Sequence, residues 1–121
     1  MADPYAWKSA TVLLDSATTS GTVTEALIAA VTGKHIRVKA VFLGNDLAAL
    51  TAFSFLDGSG GSILCGSHDL ADTEKLTLPP VPAEESAMWF QTSKGTALWV
   101  TYTNGGTAAG LGGVIVYTEA F

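Results

Sequence analysis

The sequence is poor in charge, in cysteine and in histidine, and it has no long apolar run. Charged residues make up 14% of the chain, where about a quarter is usual. Six Lys and Arg stand against eleven Asp and Glu, for a formal net charge of -5. No basic face of the size that nucleic-acid binding needs can be assembled from so few cations, so nucleic acid is not an expected partner. Cys65 is the single cysteine, which rules out an intrachain disulfide. No apolar stretch approaches the ~18 to 20 residues of a membrane-spanning helix, so a membrane is not an expected partner either. The start Met1-Ala2-Asp3-Pro4 has neither the basic nor the apolar region of a signal peptide. A reducing cytoplasm is the expected place of synthesis and assembly.

What is present is apolar and small. Hydrophobic residues are 48% of 121 and mean hydropathy is +0.35, too apolar for intrinsic disorder and too short for two domains. Gly, Ser, Thr and Ala take the place of charge, which predicts a neutral surface. Segments rich in β-branched and aromatic residues recur at 7–14, 22–31, 35–43, 50–56, 63–65, 75–78, 87–92, 97–103 and 113–118, separated by turn formers. Ile36, Val38 and Ala40 alternate with His35, Arg37 and Lys39, the pattern of a strand with one wet face. The tight turn Thr32-Gly33-Lys34 suggests a hairpin joining this strand to the one before it, and 93–96 reads as a hairpin-like link. Pro79, Pro80 and Pro82 cannot donate ladder hydrogen bonds and so end the strand at Leu78.

Eight or nine short strands without a crossover helix predict an all-β antiparallel sandwich, jelly-roll-like. Residues 1–20 form an N-terminal arm and first strand, and 21–121 a single β domain. The expected core is Ile36, Val38, Phe53, Phe55, Leu76, Leu78, Phe90, Leu98, Val100, Ile115 and one of Val114 and Val116.

Chemistry-bearing patterns are sparse, and nothing in them calls for a cofactor or a metal. The stretch 68–74 gathers His68, Asp69, Asp72 and Glu74 but lacks the glycine-spaced pattern of a calcium loop, and a solvated loop is the plainer reading. Cys65 precedes His68 by three positions, the spacing of a possible nucleophile and base, yet a catalytic pair needs an orienting group and an oxyanion site as well. The runs 58–61 and 110–113 are glycine-rich but open no helix and carry no P-loop lysine, so they read as turns and bulges. Trp89, Trp99 and Tyr102 are the rings available for a sugar-stacking platform, against the commoner fate of core packing. Trp99 has the opposite parity to Leu98, Val100 and Tyr102, so an outward Trp99 beside a second exposed ring is what a sugar site requires. Tyr5 and Trp7 lie in a start with few charges, where an aromatic pair anchors an arm on another surface. They are the candidate partner-binding residues; the competing expectation is that Trp7 folds back on its own sheet.

From Val23 onward the order of segments resembles small jelly-roll virion proteins of tailed bacteriophages. The resemblance lies in 29–38 (AAVTGKHIRV), 53–61 (FSFLDGSGG), Leu76-Thr77-Leu78-Pro79, 88–98 (MWFQTSKGTAL) and Val114-Ile115-Val116-Tyr117. It implies a non-enzymatic structural protein of the virion, assembled in the host cytoplasm: a capsid decoration (cement) protein, or a component of head or tail fibres. The implied partners are a second and third copy of the chain, as a homotrimer, and the major capsid protein or another virion protein. A neutral, apolar β domain points the same way, because its faces and edges favour association. The alternative is a carbohydrate-binding β-sandwich module.

Overall fold

The computed structural model describes residues 6–16, 21–45, 50–70, 74–104 and 109–121, and among these described residues it has nine strands and no helix. They are β1 (Lys8–Ser16), β2 (Gly21–Ile28), β3 (His35–Asn45), β4 (Leu50–Asp57), β5 (Ile63–Leu70), β6 (Lys75–Leu78), β7 (Phe90–Gln91), β8 (Leu98–Asn104) and β9 (Ala109–Ala120). One sheet has the order β1-β9-β3-β6, with β7 also paired to β3, and the other has the order β2-β8-β4-β5. Every pairing is antiparallel. Successive strands mostly alternate between the sheets, which is the double Greek-key wiring of a jelly roll. The two-residue β7 is an addition to the eight strands of that wiring.

The fold class is therefore the expected one, but two connections are not. The turn after Val31 forms, with Lys34 N–H donating to the Val31 carbonyl at 3.0 Å, yet it joins no hairpin. β2 pairs with β8, and β3 pairs with β9, β6 and β7. Both strands have an apolar face, and the chain brings Ile28 and Ile36 into one core from opposite sheets instead of setting the strands edge to edge. The 93–96 link likewise crosses from β7 to β8 in the other sheet. The β4–β5 hairpin does form, closed by Asp57 N–H to the Ser62 carbonyl at 2.9 Å.

The core holds Ile36, Val38, Phe53, Phe55, Leu76, Phe90, Leu98, Val100 and Ile115 as expected, and adds Val12, Ile28, Val41, Leu43, Leu70 and Tyr102. Phe55 is its aromatic centre, 5.4 Å from the Phe53 ring and 4.9 Å from that of Phe90. Leu78 packs against the core half-buried. Neither Val114 nor Val116 joins the core cluster: both have the opposite parity to Ile115 and take the other face of β9. Residues 109–112, expected as loop, are the beginning of β9, whereas the 87–92 segment contributes only Phe90 and Gln91 to a strand.

The largest departure is Lys39. The β3–β9 register slips between Val38 and Ala40, so the inward set switches from Ile36 and Val38 to Val41 and Leu43. Such a bulge sets two residues of one strand against one of its neighbour. Lys39 is expected on the wet face, but it is fully buried, because segment 79–89 crosses over it.

Candidate interaction surface

Segment 79–89 is a strap, and two β3 cations hold it down. Lys39 Nζ donates to the backbone carbonyls of Glu84 and Glu85, both at 3.0 Å, and to that of Ala87. Arg37 donates to the Glu85 carbonyl at 2.6 Å and to Gln91 Oε1 at 3.1 Å. Backbone bonds close both ends: Val81 N–H to the Lys39 carbonyl at 3.1 Å and Trp89 N–H to that of Val38 at 2.9 Å. The prolines that end β6 leave the strap carbonyls without strand partners, and the ammonium supplies three donors to a segment with no ladder of its own. Burial pushes the Lys39 ammonium below its ordinary value and the Arg37 guanidinium adds to the shift, with the Glu85 carboxylate opposing them.

Trp7 lies beside this strap. It is 42% exposed, its ring centre is 5.9 Å from Lys39 Nζ, and with Lys39, Glu84, Glu85 and Thr118 it lines a cleft of about 280 Å³. Trp7 thus leans on its own sheet while keeping much of its ring in solvent. Tyr5, its expected companion, lies outside the described residues. The strap adds two further exposed apolar side chains, Met88 at 41% and Trp89 at 45%, and β3 adds Phe42 at 42%. The Trp89 indole N–H donates to the Pro79 carbonyl at 2.8 Å, which fixes that ring in place. The sequence singled out Trp7 and Trp89 but not Lys39 or Phe42. The cluster of three prolines after Leu78 was the available signal for a strap.

The sugar platform does not assemble from the three rings weighed for it. Tyr102 is buried and stacks on Phe53, 6.0 Å between centres. Trp99 takes the other side of β8, opposite Ala26 and Leu56, and Trp89 belongs to the strap over the other sheet. Around Trp99 the strands carry hydroxyl pairs, Thr24 with Thr101 at 3.3 Å and Thr22 with Thr103 at 3.5 Å, which bind each other across the ladder.

The 68–74 cluster divides likewise. His68 and Asp69 are in β5, Glu74 is exposed and Asp72 lies outside the described residues. Among the described residues no three His, Cys, Asp or Glu converge on one point. Cys65 Sγ and His68 Nε2 do meet, at 3.6 Å. Burial pushes the Cys65 thiol up, which disfavours the nucleophilic thiolate. The Asp69 carboxylate accepts the Ala52 N–H at 3.1 Å, and Ala52 holds a left-handed φ of 55° where the β4 register slips.

Comparison with known proteins found no matching family model, no matching curated protein and no matching solved structure. The reading of this surface rests on the chain itself.

Proposed function

We propose that this chain is a non-enzymatic structural protein of a tailed-phage particle, a capsid decoration protein that binds and stabilises the head shell. The observation that carries the reading is the surface around the strap, where Trp7, Met88 and Trp89 each leave about two fifths or more of their area in solvent. Large rings and a thioether held on a β scaffold have the composition of a contact surface core. The segment resemblance supplies the particle, and the jelly roll is an architecture shared by viral capsid and lectin domains. Copies of the chain act together as a homo-oligomer, three in number as the resemblance implies, with the major capsid protein or another virion protein as partner and the virion as location. A place in a tail or fibre is the second reading within the same class.

The test is co-sedimentation on particles that lack the protein. Saturable binding to heads, with higher resistance of those heads to heat, is the expected result. Binding to tails alone moves the protein to the tail, and binding to neither overturns the reading.

A further inference from the structure

A fully buried charge is ordinarily met by an opposite charge, and the ammonium of Lys39 is not. Lys39 is fully buried, and among the described residues its hydrogen bonds go to three backbone carbonyls, those of Glu84, Glu85 and Ala87, with no carboxylate partner. The carbonyls converge because the chain turns there. Ala87 N–H donates to the Glu84 carbonyl at 3.2 Å, and the carbonyls of such a turn point one way, as at the end of a helix, where cations are favoured.

The cradle also has an approach from solvent. The cleft of about 280 Å³ beside Trp7 reaches Lys39 and is walled by Glu84, Glu85 and Thr118. On its far side the Trp7 ring centre lies 5.9 Å from the nitrogen. The neighbouring cation is no substitute, because the Arg37 guanidinium is already bonded to the Glu85 carbonyl and to Gln91.

We propose that the 84–87 turn is a binding site for one primary ammonium group, that Lys39 is its tethered occupant, and that the strap closes only around such a group. Recognition comes from donors as well as from charge: three acceptors converge on one nitrogen, and a primary ammonium has three N–H groups to give where a quaternary ammonium has none. Occupancy then decides whether Met88 and Trp89 are held in place. The site belongs to the scaffold of the surface proposed for docking, and it does not depend on what that surface meets.

The experiment removes the occupant and returns it as a free ion. Lys39→Ala deletes the equivalent of propylammonium and joins the emptied channel to the cleft, whereas Lys39→Met fills the channel without a donor. Digestion with a glutamate-specific protease, read by mass as cuts after residues 84 and 85, is expected to quicken roughly tenfold in both variants, as the net loss of one or two hydrogen bonds implies. At about pH 7, where an alkylamine is charged, propylammonium at roughly 100 mM, the range of a weak ligand, is expected to restore slow cleavage to Lys39→Ala alone. Tetramethylammonium at the same concentration is expected to restore neither. Exchange of the Val81 and Trp89 amides, whose bonds to the Lys39 and Val38 carbonyls close the strap, is expected to follow the cleavage. Should Lys39→Ala unfold as a whole, its melting with each ion reads the same rescue. A strap that stays closed in Lys39→Ala without the amine overturns the inference, as does failure of propylammonium to rescue that variant, or equal rescue by tetramethylammonium or of Lys39→Met. Particle binding is a separate measurement, and its failure bears on the decoration reading and not on this site.

Discussion

Lys39 Nζ sits 5.9 Å from the centre of the Trp7 ring, and in that one relationship the N-terminal arm, the central strand β3 and the strap come together. The ammonium already gives its hydrogen bonds to three strap carbonyls. Its charge can still attract the ring face, at a distance where such attraction is modest. The strap is the scaffold of the exposed apolar surface, and Lys39 is its fastener.

Replacing Lys39 by Met keeps most of the side-chain volume and removes the donors. Three carbonyls then lose the ammonium, although that of Glu84 keeps the Ala87 N–H and that of Glu85 keeps Arg37, and a loss of about 1 to 3 kcal/mol is expected in urea denaturation. Protease cleavage within 79–89 is expected to quicken before global unfolding. A strap that stays resistant in the variant contradicts the fastening role.

Burial, with the Glu25 carboxylate adding to it, pushes the Tyr102 hydroxyl up to about 12 from an ordinary 10. Below pH 10 both folded and unfolded chains keep this proton. Between pH 10 and 12 the unfolded chain gives it up first, so stability falls as pH rises, by at most roughly 3 kcal/mol. Tyr102→Phe is expected to remove that part of the alkaline loss. At neutral pH it is expected to cost nothing, since the hydroxyl has no hydrogen-bond partner among the described residues. Denaturation of both proteins at several pH values reads the difference.

Gly113 has a φ of 153°, and a Cβ there would lie 1.8 Å from the Phe42 carbonyl oxygen. Gly113→Ala must push β9 from β3 where Gly113 pairs with Leu43, with an expected loss of about 3 kcal/mol or more. The melting temperature of the variant is the check.

Phe55→Ala empties the aromatic centre. The ring is fully buried and touches Phe53 and Phe90, so the expected cost is ~3 to 5 kcal/mol. A smaller value means that the two sheets close over the space.

Removal of residues 1–6 with Trp7→Ala tests Tyr5 and Trp7 as docking anchors. Melting is expected to change little, because the Trp7 ring is 42% exposed, while particle binding weakens by ~2 kcal/mol or more, as for an aromatic hot spot. Unchanged binding removes the arm from the contact.

The sequence by itself determined the two-fold periodicity, the strand-ending prolines and most of the apolar positions, because alternation is a local property that each strand carries whatever its neighbours. Ile36, Phe53, Phe55, Leu98 and Val100 were legible on that ground alone. Which strands pair was not legible. β2 and β3 have the turn of a hairpin and the pairing of opposite sheets, since burying two apolar faces against each other is a long-range choice no tripeptide turn encodes. Lys39 is the other lesson. A single bulge after Val38 changed which parity faces inward, and the strap closed over the cation, so a residue that alternation assigns to water became the buried anchor of the candidate surface. Only the tertiary structure brings 39 and 79–89 together, because only there does a proline-bearing segment with no strand to pair with find donors for its carbonyls.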